Sequence, residues 1–379
     1  MEQTLAGFVS AEMRRIAALL LAPLGLIAFG GVGHAQIRAH YGDVANTYTM
    51  ERVADDVYAV LTPDSKTPFV SGNSMVVFGR DAILVVDSGH VPSVAHRVIA
   101  DIKRITDRPV RFVVNTHWHF DHLVGNGEYR RAFPDVAIVS TPPTLEQVEA
   151  QLPGYSDTLA KRVPAMIDGL RKALQEGKKA DGTPLAPDDR EFYDAEVRDF
   201  TAAIRSIAGM TYAPPTVTFD RELTVDLGGR VVRILFLGRG NTAGDAVVYV
   251  PDAKVVATGD LLVAPAPYAT GSFMLEWPDA MRKLMALDAA TIVPGHGPLL
   301  HDWTYAARVT ALLESVNAQV KSAVDRGLTL DETKQHVDVA TARTAFCGDD
   351  PFQRRIFDTY FLTGAIERSY KETIFLVEK

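Results

Sequence analysis

His117-Trp118-His119-Phe120-Asp121-His122 sets four metal-ligating side chains within six positions. The chain has 10 histidines in 379 residues, and three of them stand in this one run. On an extended segment, residues 117, 119 and 121 share one face, and a turn after them lets His122 join from another direction. Imidazole nitrogen together with carboxylate oxygen suits zinc or a similar divalent ion. Histidines placed only to cap a loop would have no reason to gather so densely.

On the N-terminal side, Val110 to Val114 reads as a short apolar strand that delivers Asn115-Thr116 and then the cluster at its tip. Before it, Ser93 to Thr106 carries Val94, Val98, Ile99, Ile102 and Ile105 on one side, which predicts an amphipathic helix stopped by Pro109. Ser74 to Phe78 and Ala82 to Val86 flank Gly79-Arg80-Asp81 and predict a hairpin whose second strand ends at Asp87-Ser88-Gly89. Val57 to Leu61 alternates weakly as a further strand. Strand, helix, strand, then polar residues at a strand's C-terminal edge is how α/β enzymes place a site.

On the C-terminal side, residues 136–140 read as another strand. From about 144 to 210 the pattern turns helical and strongly charged, which predicts a helical insertion. Strands resume at Val217 to Phe219, Leu223 to Val225, Val231 to Leu237, Ala246 to Val250 and Val255 to Thr258, and helices follow from Trp303 onward. Three strand-like runs end in polar residues: Gly238-Arg239-Gly240-Asn241-Thr242, Ala257-Thr258-Gly259-Asp260 and Val293-Pro294-Gly295-His296-Gly297.

The HxHxDH run, the later Gly-Asp and the later Gly-His-Gly, in this order, resemble the metallo-β-lactamase superfamily over about residues 50–300. The resemblance implies an α+β fold, an αββα sandwich with the site at one edge of the paired sheets, elaborated by the insertion (about 144–210) and a C-terminal helical extension (about 303–379). It assigns His117 and His119 to a three-histidine first site and Asp121, His122 and His296 to a second. Asp260 resembles the carboxylate that bridges two metals, and Asp87 the aspartate that orients the cluster loop. Asp121 and Asp260 are the expected catalytic carboxylates. The family's third histidine of the first site falls at 241, where this chain has Asn241, although Gly238, Gly240 and Thr242 still fit. A neutral amide oxygen is a poorer zinc ligand than imidazole. Two arrangements stay open: a two-metal site with Asn241 as a ligand, and a one-metal site. Zinc is the expected ion, one or two per chain, with iron or manganese as alternatives.

Bound zinc lowers the pKa of its water towards about 7 and polarises a carbonyl oxygen. The expected activity is therefore hydrolysis of an amide, ester or lactone bond in a small molecule, β-lactams among them. The competing readings are a one-iron oxidoreductase handling sulfur or oxygen, and a metal-binding relative without turnover. A net charge of −8 offers no electrostatic reason to bind nucleic acid.

Residues 1–35 read as a signal peptide: Arg14-Arg15, the apolar run Ile16 to Phe29, then Gly33-His34-Ala35 before Gln36. The run is short for a membrane span and carries Pro23 and Gly25, so a periplasmic or secreted domain over 36–379, with no stable membrane insertion after cleavage, is expected. The single cysteine, Cys347, reads as structural. Trp118, Phe120 and Tyr129 either wall a pocket or pack in the core. His301 reads as a surface residue. His90 sits in a loop that can face the site but receives no role. Met166, Leu170 and Leu174 read as ordinary helix packing.

Overall fold

The structure is a computed structural model and describes residues 37–39, 47–63 and 71–377. The segment read as a signal peptide lies outside these residues. Among the described residues, no helix is long and apolar enough to cross a membrane.

Among the described residues, thirteen strands form two sheets. The first contains β1 (Ile37–Ala39), β2 (Tyr48–Ala54), β3 (Val57–Leu61), β4 (Ser74–Phe78), β5 (Ile83–Val86), β6 (Val110–Val114), β7 (Ala137–Ser140) and β8 (Val217–Thr218), adjacent in sequence order. It is antiparallel from β1 to β5 and parallel from β5 to β8. The second contains β9 (Glu222–Asp226), β10 (Val231–Phe236), β11 (Ala246–Val250), β12 (Val255–Gly259) and β13 (Thr291–Pro294). It is antiparallel except for the parallel pair β12–β13. The helices are α1 (Pro92–Ile105), α2 (Phe120–Leu123), α3 (Asn126–Ala132), α4 (Pro142–Gln151), α5 (Tyr155–Glu176), α6 (Pro187–Ile207), α7 (Trp277–Met285), α8 (Thr304–Asp325), α9 (Leu330–His336), α10 (Ala340–Cys347), α11 (Pro351–Ile356) and α12 (Thr363–Val377), with a π-helical turn at Phe357–Leu362.

Period-two alternation sorts the strand side chains between two apolar faces. In β4, Met75 and Val77 face the opposite sheet, while Val76 and Phe78 face helices. In β5, Leu84 and Val86 turn inward and Ile83 and Val85 outward. In β11, Ala246, Val248 and Val250 meet the first sheet, while Val247 and Tyr249 meet the helices beyond. The strands are therefore buried on both faces, and the layers run helix, sheet, sheet, helix. Each fully buried Val or Leu contributes roughly 1.5–3 kcal/mol.

The helix predicted over 93–106 is α1. Val94, Val98, Ile99 and Ile102 are buried on its inner side, and Lys103 and Arg104 complement the dipole at its C-terminus. Ile105 does not join them: it is 38% exposed, because the helix ends there and the chain turns away. Residues 142–207 hold α4, α5 and α6, as the charged helical pattern suggested. In α5 the buried side is Val163 and Ile167; of the row expected to pack, Leu170 and Leu174 are half-buried and Met166 is 36% exposed. Cys347 is buried, with its thiol on the Gln353 carbonyl.

This architecture fixes the site's location. β5 and β6 are parallel, as are β12 and β13, and β10 runs in the same direction as β12 because β11 reverses between them. The C-terminal ends of these strands thus deliver Asp87, the histidine cluster, Asn241, Asp260 and His296 to one edge of the sandwich.

Candidate metal centre

After β6 the chain runs through Asn115 and Thr116 into His117. His119 caps the short helix α2, which carries Asp121 and His122. The extended face expected for 117, 119 and 121 is therefore broken. His117 and His119 point to one group, and the helical turn swings Asp121 and His122 to another. The two groups are His117, His119 and Asp260, and Asp121, His122 and His296, with the candidate ligand atoms of each group within 4.8 Å of one another.

Asp87 holds this loop. It accepts from the Thr116 backbone N–H at 2.8 Å and from the Thr116 hydroxyl at 2.8 Å, and meets His122 Nδ1 at 2.8 Å. The Thr116 hydroxyl has one proton, which it gives to Asp87. It must then accept from His117 Nδ1, 2.9 Å away, which leaves His117 Nε2 as the bare lone pair.

Asp260 joins the two groups. Its Oδ2 lies 3.5 Å from His117 Nε2 and 3.8 Å from His119 Nδ1. Its Oδ1 lies 3.1 Å from His122 Nε2 and 3.5 Å from His296 Nε2. A glycine is required beside it: a Cβ on Gly295 would stand 2.1 Å from Asp260 Oδ1. Gly259, at φ +51, meets the same demand from the other side, since its Cβ would stand 2.4 Å from Thr116 Oγ1.

Burial and charge oppose each other here. Burial pushes His117 down to about 4, and the neighbouring His122 adds to that. Burial would also lower His122, but Asp260, Asp121 and Asp87 together hold it well above the usual imidazole range. Burial would raise Asp121 and Asp260. Instead, His122 and His296 hold Asp121 low, and His122, His296 and His117 hold Asp260 well below the usual carboxylate range. His117 is thus kept neutral, the form in which imidazole ligates a metal.

The residues fit a metal ion on one further observation. His117 Nε2 and Asn241 Oδ1 are buried and neither has a hydrogen-bond partner. An unsatisfied buried polar atom costs about 1–3 kcal/mol, so two at one edge of a fold call for a cation to satisfy them. Imidazole and carboxylate donors are the set that zinc accepts.

Asn241 is fully buried in the loop after β10. Its amide N–H donates to the Tyr268 carbonyl at 2.6 Å, and this fixes the opposite side of the group as the oxygen. The loop lies beside the cluster, because Ala246 N–H donates to the Thr116 carbonyl at 2.7 Å.

Rings beside the cluster form an unbroken series. Tyr155 lies against Phe120 (centroids 3.8 Å apart), Phe120 against Trp118 (6.2 Å) and Trp118 against His119 (4.6 Å). His119 then meets Tyr268 (5.4 Å), and Tyr268 meets Tyr360 (5.9 Å). Trp118 and Phe120, left between wall and core, border the site and also pack on the first core, whereas Tyr129 is a core residue at 1% exposure. His90 meets the Tyr155 hydroxyl at 2.7 Å, which brings it behind this wall. His301 is exposed. Sequence reasoning missed Tyr155, Tyr268 and Tyr360. Each stands alone in its segment, and no local pattern marks it.

A profile of the metallo-β-lactamase superfamily matches residues 67–296, more than half of the chain. The chain belongs to the metallo-β-lactamase superfamily. A linear primary-alkylsulfatase from a Pseudomonas species is 23% identical to this superfamily member over 298 residues, covering 74% of this chain and 52% of the relative. The chain thus spans about half the length of the curated relative it matches. A stereoselective inverting sec-alkylsulfatase from Pseudomonas sp. has a TM-score of 0.58 at 16% identity, over 86% of this chain and 50% of that one. A metallo-β-lactamase from Pontibacter korlensis has a TM-score of 0.50 at 20% identity, over 71% of this chain and 99% of that one. These likenesses establish the αββα fold. The two ligand groups of this superfamily member are ones that could hold metal ions.

Proposed function

We propose that this superfamily member is an exported zinc hydrolase that cleaves an ester-type or amide bond in a small molecule bearing an apolar group. The observation that carries this reading is the division of Asp260, whose two oxygens face the two ligand groups separately. One carboxylate placed in this way joins two cation positions into one centre. A divalent cation there supplies Lewis acidity and lowers the pKa of the water it binds.

The protein's own groups do the rest. Asp121 is the more exposed of the two carboxylates, at 22% against 4% for Asp260, so it is the one that reaches water and substrate and can take a proton. Asp260 stays inside and holds the two groups in register. The ring series from Tyr155 to Tyr360 offers an apolar wall on either side of His119. Together with the two alkylsulfatase likenesses, it makes alkyl sulfate esters the first class to test, ahead of carboxylic esters, lactones and β-lactams.

The test is metal analysis of purified protein followed by a hydrolysis screen over those classes and thioesters. Bound zinc, with turnover of at least one class that chelation abolishes, is the expected result. Zinc-loaded protein that hydrolyses none of them overturns the reading. Stoichiometric iron without zinc turns it towards an oxidoreductase. N-terminal sequencing from the native cell should find a start near Gln36, and an intact segment 13–35 in the soluble cytoplasmic fraction would refute export.

A further inference from the structure

The matched family region ends at residue 296, yet the C-terminal helix packs on a loop beside the metal centre. Four residues spaced by four, Tyr360, Gly364, Arg368 and Glu372, form one stripe along the π-helical turn and α12, since a spacing of four repeats on one helix face. All four grip the same loop. The Tyr360 carbonyl accepts from Ala269 N–H at 2.9 Å. Gly364 lies so close that a Cβ there would stand 2.9 Å from the Ala269 carbonyl carbon and 2.9 Å from Thr270 N. Arg368 Nε donates to the Ser272 carbonyl at 2.6 Å. The Glu372 carboxylate accepts from Met274 N–H at 3.3 Å and Leu275 N–H at 3.0 Å.

The loop held in this way holds Asn241 in turn. Phe273 N–H donates to the Gly240 carbonyl at 2.7 Å, and the Asn241 amide donates to the Tyr268 carbonyl at 2.6 Å. The chain of contacts is continuous: helix stripe, loop 268–275, Asn241. Its last member is a fully buried side chain whose oxygen has no partner, in the loop that packs beside His117.

We propose that the stripe Tyr360–Gly364–Arg368–Glu372 is a positioning element for the first metal site, fixing loop 268–275 so that the Asn241 oxygen is presented to a cation held with His117 and His119. The proposal rests on the zinc reading above. It explains why an amide serves where imidazole would be expected. A neutral oxygen is a weak ligand by itself, and rigid support from both the Tyr268 and the Gly240 side spares the ordering cost that a free asparagine would incur. A π-helical turn at the head of the stripe is itself a feature found at functional sites.

The test uses full-length apo protein titrated with zinc against a chromophoric chelator, with thermal unfolding in parallel. Gly364→Ala pushes the loop by its backbone, and Glu372→Ala releases its far end. Both should loosen the weaker zinc equivalent about tenfold, leave the tighter equivalent unchanged and keep the protein folded. On an Asn241→Ala background, Gly364→Ala should add nothing, because the two act through one ligand. Two equivalents untouched by either variant, both equivalents loosened in parallel, additive effects with Asn241→Ala, or a single equivalent in wild type would each overturn the proposal while leaving the zinc reading in place. No zinc binding at all would overturn the reading itself.

Discussion

His122 Nδ1 and Asp87 Oδ2 stand 2.8 Å apart with both side chains buried. The contact orients the imidazole: Nδ1–H donates to the carboxylate, and Nε2 faces Asp121, Asp260 and His296, where it would offer its lone pair once a cation displaces its proton. Asp87 also sits at φ 54, a left-handed conformation that aspartate and asparagine tolerate better than other residues with a Cβ. Asp87→Asn should therefore keep the backbone and the Thr116 contact while weakening metal at the Asp121–His122–His296 site by about 10–100-fold. Zinc competition on the folded variant measures it. Unchanged affinity would remove Asp87 from the support of the site.

The Asp121–His122–His296 group has two imidazoles and a carboxylate, whereas the group of His117 and His119 has only the Asn241 amide as its own third ligand. Apo protein should bind one zinc tightly and a second more weakly. Asn241→His should tighten the weaker equivalent by more than about tenfold without a matching rise in turnover, because the loop is built around an amide held by Tyr268. Measurements belong at one pH, since ligand protonation competes with binding. An unchanged weaker equivalent would show that Asn241 does not face the metal.

Asp260→Ala should lower turnover by more than the roughly 100-fold that loss of a supporting partner costs a metal site. It removes the carboxylate whose two oxygens face the two ligand groups separately. The fold should survive, because the side chain sits just past the end of β12 and faces the two ligand groups. Steady-state rates with circular dichroism test both parts. Near-normal activity would take Asp260 out of the chemistry.

Glu196 of α6 is half-buried. Burial raises its carboxyl from 4.5 to about 7, against the opposing charge of Arg355. A carboxyl with a raised folded pKa favours its neutral form, so its contribution to stability is complete below about 4.5 and is lost as pH rises through about 7. Glu196→Gln keeps the neutral form at every pH. The variant should match wild type near about pH 4.5 and melt at a higher temperature near about pH 8. A difference that shrinks as pH rises would contradict the assignment.

Short-range pattern carried a large part of this protein. The spacing of His117, His119, Asp121 and His122 announced a metal cluster because all four stand within one loop and one helical turn, and no distant contact is needed to gather them. Asp87, Asp260 and His296 each follow an apolar run, but a lone polar residue at a strand's end is usually structural, and their roles came from the resemblance to the superfamily. The hairpin at Gly79-Arg80-Asp81 and the inner row of α1 followed from periodicity alone.

Other features were settled only when distant segments packed. Ile105 continues the apolar row of α1 in sequence but is exposed, because the helix stops before it reaches the sheet. Met166 has helical spacing, yet the buried side of α5 is Val163 and Ile167. The wall of Tyr155, Tyr268 and Tyr360 draws on three segments, and nothing near any of them in the chain marks it. Asn241 shows the division most clearly. The sequence determined that an amide stands where an imidazole is expected. The direction of its oxygen depends on a carbonyl 27 residues later, itself held by a helix about a hundred residues further on. Periodicity and strand ends are written in neighbouring residues, whereas the aim of a single buried side chain depends on which distant backbone groups packing brings within hydrogen-bond reach.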